Sequence, residues 1–109
     1  MSVFIYLSLA PLLLLIAVIF RVHPPQGINS LYGYRTKRSM RSPAAWDFAN
    51  GVSTKLLLVF TVLLNVIQLG AFYVLDLEQA VMFTSILMVI GLIAIIPLVE
   101  KKLKEAGYD

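Results

Sequence analysis

Three long apolar runs, residues 3–20, 56–75 and 80–99, constrain this chain more than any other feature. A helix needs about 20 mostly apolar residues to cross the hydrocarbon core of a bilayer, and each run reaches or nearly reaches that length. In lipid the backbone must satisfy its own hydrogen bonds, so the runs are expected to be helices; three strands could not close a barrel. A small soluble domain could not hide this much apolar surface, since 60% of the residues are hydrophobic and the mean hydropathy is +0.87. The reading is an all-α membrane protein with three transmembrane helices in a single domain, 1–109.

Charge sets the expected orientation. All nine lysines and arginines fall either between the first and second runs (Arg21, Arg35, Lys37, Arg38, Arg41, Lys55) or after the third (Lys101, Lys102, Lys104). The positive-inside rule then puts the 21–55 loop and the C-terminus in the cytoplasm and the N-terminus outside a bacterial plasma membrane. The first run lacks a basic leader and ends in Phe20-Arg21 rather than a small-residue cleavage site, so it is expected to be retained as a span. The short Asp76–Gln79 turn makes the second and third helices antiparallel neighbours. Pro11 and Pro97 are expected to kink their helices mildly.

Several chemistries are excluded early. There is no cysteine, so thiolate metal sites and disulfides are out, and the one histidine, His23, precedes a proline with no second ligand near it. Neither a metal nor a cofactor is expected. Asp47 is the only acid of the loop and has no paired carboxylate or nucleophile, which argues against an enzyme. Basic residues beside membrane spans follow from topology, so they do not point to nucleic acid. Anionic lipids of the inner leaflet are the partner that composition alone implies.

Ser42-Pro43 is a helix start, with serine as N-cap and proline at the first helical position. The second helix should therefore begin near Pro43, with an interfacial extension ahead of its apolar run that carries Trp46 and Phe48 at headgroup level. On that longer helix Asp47, Asn50, Thr54, Leu58, Thr61, Asn65, Gln68 and Phe72 fall on one stripe, polar except at Leu58 and Phe72. Two readings stay open for Thr54, Thr61, Asn65 and Gln68: a polar pathway leading inward from the loop, or interhelical hydrogen bonds that hold the bundle together.

The remaining polar stretch runs from Asn29 to Asn50. Gly33 suggests a tight turn or a close backbone approach that aims its neighbours Tyr32 and Tyr34, and the planar fork of Arg35 suits a phosphate or carboxylate. Thr36 and Ser39 could complete an anion site, with Asn29 and Asn50 clamping the segment to the second helix. Lys37, Arg38 and Arg41 are adequately explained by adhesion to anionic lipid.

The spaced set Asn29, Gly33, Tyr34, Arg35, Thr36, Ser39, Trp46, Ala49 and Asn50 resembles the hallmark of the SdpI family, small bacterial membrane proteins named for a sporulation-delaying-toxin immunity protein. Three spans with the motif loop after the first are similar to that family's C-terminal half, whereas the larger immunity proteins carry extra N-terminal spans. Ala44 and Ala45 stand where the family often has an acid before the tryptophan. The resemblance implies immunity to a membrane-active toxic peptide, or relay of its presence to a cytoplasmic regulator. The alternative from the residues themselves is a lipid-headgroup or small-anion binding protein, or a minimal transporter. Three short spans bury few side chains, which leaves a homo-oligomer open beside a monomer.

Overall fold

The apolar runs become three helices in the computed structural model of the chain, which describes residues 3–29 and 31–108. They are α1 (Val3–Val22), α2 (Pro43–Val74) and α3 (Leu77–Glu105), each long and apolar enough to cross a membrane. No strand occurs among the described residues. α1 ends where Pro24 and Pro25 remove the next amide donors, its last turn closed by the His23 amide on the Ile19 carbonyl at 2.7 Å.

α2 starts where local chemistry demands. Ser42 is extended, and its Oγ accepts the Ala45 amide at 3.0 Å, with Pro43 at the first helical position. The helix then runs 32 residues, about 48 Å at 1.5 Å per residue.

Two residues, Leu75 and Asp76, separate α2 from α3, so the turn is tighter than its apolar boundaries suggest. Asp76 is extended, its carbonyl accepts the Ala80 amide at 2.8 Å, and Glu78 suits the positive end of the helix dipole. α3 therefore begins three residues before the apolar run. At its other end α3 continues six residues past the apolar run, to Glu105. Leu103 is fully buried, and Gly107, at φ +92°, turns the chain back so that the Tyr108 ring lies 5.5 Å from Phe48.

α2 is the central helix, packed against α1 on one side and α3 on the other. Tyr6, Ala10 and Ala17 of α1 are fully buried, spaced four and seven apart on one stripe. Small residues at such seams let backbones approach closely. Gly91 of α3 plays that part against α2: a Cβ there would collide with the Phe60 ring. The outward faces remain apolar and exposed, Val66, Ile90 and Ile93 among them. In water so large a surface would aggregate; against lipid it is the solvated side.

Both prolines lie inside unbroken helix. Pro11 has no amide, so the Leu7 carbonyl one turn earlier loses its normal donor. Gln68 of α2 supplies one, its Nε2 donating to the Leu7 carbonyl at 3.2 Å. Asn65 Nδ2 donates to the Ala10 carbonyl at 3.1 Å beside it. The Tyr6 hydroxyl reaches the Gln68 carbonyl at 3.2 Å and Thr84 Oγ1 of α3 at 3.0 Å, tying all three helices.

Candidate functional site

The loop from 23 to 42 folds back over the end of the bundle where α1 and α3 finish and α2 begins. Asn29 starts the fold. Its Oδ1 accepts the Leu31 and Tyr32 amides at 2.9 and 2.8 Å, and its Nδ2 donates to the Gly27 carbonyl at 2.9 Å, an Asx turn made within the loop. Asn29 thus shapes the loop and makes no hydrogen bond to α2; the expected pair of asparagine clamps reduces to Asn50.

Asn50 is 2% exposed. Its Oδ1 accepts the Tyr34 amide at 2.7 Å, and its Nδ2 donates to the Trp46 carbonyl at 3.0 Å. That clamp requires the loop backbone to lie directly on α2. Gly33 permits it: at φ +109° a side chain is strained, and a Cβ would stand 2.9 Å from Asn50 Oδ1 and from Pro25 Cγ. Trp46 completes the seam, with its ring against Gly33 and its Nε1 donating to the Pro25 carbonyl at 3.0 Å. Trp46 is fully buried, where the sequence suggested a residue facing the headgroups. The aromatic-belt preference applies to a ring on an open helix face, and here the returning loop covers that face.

Thr36 and Ser39 form a reciprocal turn. Ser39 Oγ accepts the Thr36 amide at 2.8 Å, and Thr36 Oγ1 accepts the Ser39 amide at 3.2 Å. The Ser39 hydroxyl donates back to the Tyr34 carbonyl at 3.0 Å and is fully buried. It is turned inward, away from any ligand beside Arg35. Arg35 itself is exposed, its Nε held by the Asn29 carbonyl at 2.9 Å. Its one described bond is thus to a loop carbonyl at the surface.

The arginine that is built in is Arg38. Its guanidinium meets Glu100 of α3 at 2.6 Å, both side chains about three-quarters buried. Tyr34 donates to the other Glu100 oxygen at 3.0 Å and to the Ile96 carbonyl at 3.2 Å. Burial raises the Glu100 carboxyl, but hydrogen bonds from Thr36, Arg38 and Tyr34 and the Arg38 charge outweigh it, holding the group below its ordinary range. Tyr34 moves the other way: burial first, then the bond to Glu100, push its hydroxyl well above its usual value. The tyrosine is thus a fixed donor and the glutamate a fixed acceptor. Sequence reading assigned Arg38 to lipid adhesion and gave Glu100 no role. The available signal was position: a carboxylate directly after an apolar run is poorly hydrated and needs a partner.

Tyr32 is exposed, with its ring 6.1 Å from Phe20 at the end of α1. Asp47 is exposed beside a shallow recess shared with Arg21 and Gln26. In the stripe, Thr54 and Thr61 donate to the carbonyls of Asn50 and Leu58 on their own helix, at 2.8 and 3.0 Å. Asn65 and Gln68 reach α1, as described above. Of the two readings of the stripe, these bonds favour packing.

Beneath the loop lies a cavity of about 190 Å³ lined by α2, α3 and the end of α1. Phe20, Leu57, Leu92 and Ile95 supply apolar walls, while Tyr34 and Asn50 close the loop side. The same two residues that fasten the loop also line this space.

Among curated proteins, the uncharacterized protein YfhL of Bacillus subtilis (strain 168) is 40% identical over 48 residues, 44% of this chain and 44% of the relative. The match spans less than half the length of that relative. No solved structure matches the chain. The SdpI/YfhL family model matches residues 26–100, which take in Tyr34, Arg38, Asn50 and Glu100 of the loop's fastening to α2 and α3, and the chain belongs to that family.

Proposed function

We propose that this chain is an SdpI-type protein of the bacterial plasma membrane that gives immunity to a membrane-active toxic peptide, by relaying its presence in the bilayer to the cytoplasmic side. The reading takes the loop and C-terminus as cytoplasmic, from the gathering of all nine basic residues at that end. It places the first turns of α2 at the interface.

The observation that carries it is the double fastening of Tyr34. The Tyr34 amide is held by Asn50 of α2, and its hydroxyl by Ile96 and Glu100 of α3. The cavity below opens where α1 and α3 make little contact of their own. An apolar side chain of a peptide that enters there presses on α3 and on Tyr34 together. Displacing Tyr34 loosens Glu100 and Arg38, which changes the charge that the loop presents to a regulator.

A small-anion reading is favoured by one feature, a recess lined by Thr36, Lys37, Arg38, Arg41 and Glu100. Peptide dependence separates the two. Sensitive cells expressing the chain should survive challenge with a membrane-active peptide toxin better than cells without it. Tyr34→Phe should reduce that protection at equal membrane abundance. Equal survival with and without the chain sinks the immunity reading.

A further inference from the structure

The face of α2 turned away from the loop carries a feature of its own. Phe48, Val52, Leu56 and Val59 line an open groove of about 650 Å³ between α2 and α3, with Lys55 and Lys102 at its rim. The cavity under the loop uses Asn50, Ser53, Thr54 and Leu57, which at 3.6 residues per turn lie on the opposite side of the helix. The groove is therefore separate from the candidate site.

Its charges and its apolar floor are arranged by depth. Lys55 immediately precedes the apolar run 56–75, and Lys102 stands three residues beyond the end of the run 80–99. Because α2 and α3 are antiparallel, both lysines lie toward the loop end of the bundle, beyond the ends of the apolar runs. Val59, one turn deeper than Lys55, is 52% exposed and prolongs the floor toward the bilayer centre. Among the described residues neither lysine has a carboxylate within ion-pair distance. Glu105 also lines the groove, but its contact is with Lys101 at 3.9 Å, and both of those side chains are well exposed. Two unpaired cations over an apolar trough complement an amphiphile with an anionic head.

We propose that this groove binds an anionic phospholipid, its phosphate held between Lys55 and Lys102 and one acyl chain lying on Val52, Leu56 and Val59. General attraction of lysines to a negative leaflet has no preferred pair; this site does, and that difference is measurable.

The purified chain is mixed with phosphatidylglycerol or phosphatidylcholine in detergent, and retained lipid is read by native mass spectrometry. Phosphatidylglycerol should be retained in preference. Lys55→Gln with Lys102→Gln should weaken its binding roughly thirtyfold, from the usual contribution of two lysines at a membrane surface, while Lys37→Gln with Lys104→Gln should change it less than about twofold. All four lysines are exposed, and unchanged Trp46 emission would show each variant folded. Equal losses in the two double variants overturn the proposal, since adhesion would then be spread over the surface. Undiminished phosphatidylglycerol binding by the Lys55/Lys102 variant also overturns it, as does a dimer that keeps this face free of lipid.

Discussion

At the loop end of the bundle, Tyr34, Arg38, Ser39, Trp46, Asn50 and Glu100 are joined by directional bonds that run from side chain to backbone or from charge to charge. At the turn end, Ala71, Ala80, Leu75 and Leu77 pack by shape, and among the described residues Tyr6 is the one side chain there that bonds to both α2 and α3. The difference follows from the surroundings. A loop that leaves the bilayer must settle many polar groups at once, and each needs a named partner. Helices held in lipid already satisfy their backbones, so a few contacts suffice. Shape holds the spans; hydrogen bonds hold the motif.

That contrast can be broken most forcefully at Trp46. Trp46→Ala should cost about 3–5 kcal/mol, the usual range for a buried aromatic, measured by unfolding in mixed detergent. A loss below about 1 kcal/mol would mean that the ring is an interfacial anchor and that the loop end is not a packed core.

Glu100 gives a smaller and more selective effect. Glu100→Gln keeps the shape but exchanges charge-assisted bonds for neutral ones, a loss of about 1–2 kcal/mol. The sign of its pH dependence follows from the direction of its shift. A carboxyl held low in the fold contributes stability that is full above the ordinary carboxylate range and is lost as pH falls through the lowered value. Protease cleavage of the loop, followed from about pH 7 to about pH 3, should rise in the acid limb for the native chain. The Glu100→Gln variant should lack that limb, and its persistence would assign the transition to another acid.

The smallest effect belongs to the spans. Gln68→Leu should cost only about 0.6 kcal/mol, the mean for polar contacts between membrane helices. Pro11→Ala restores an amide to the Leu7 carbonyl, so Gln68→Leu should cost less still in that background. Equal costs in both backgrounds would separate the glutamine from the proline.

What was legible in advance is what short-range chemistry determines. Ser42-Pro43 marks its helix start within three residues, and Gly33 announces a close approach without naming what approaches. The apolar runs show three spans, though the last turn of α1 and the first of α3 lie outside them. Glu100 stayed hidden because its partners are some 62–66 residues away, and its place directly after an apolar run calls for a partner without naming one. Trp46 was placed outward because the Pro25 carbonyl that receives its indole lies across a loop whose path no propensity specifies. Pro11 and Gln68 were both noticed, but their relation depends on the register of two helices, which neither helix encodes alone.

The proline in α1 also bears on how the chain is made. Synthesis proceeds from the N-terminus, so the Leu7 carbonyl is made 61 residues before the Gln68 amide that bonds to it. A first span that enters the bilayer ahead of the second does so without that bond. A chain cut after the loop would keep that defect, and its α1 should insert less fully than the Pro11→Ala form when topology is mapped. The pairing gives the second span a part in completing the first.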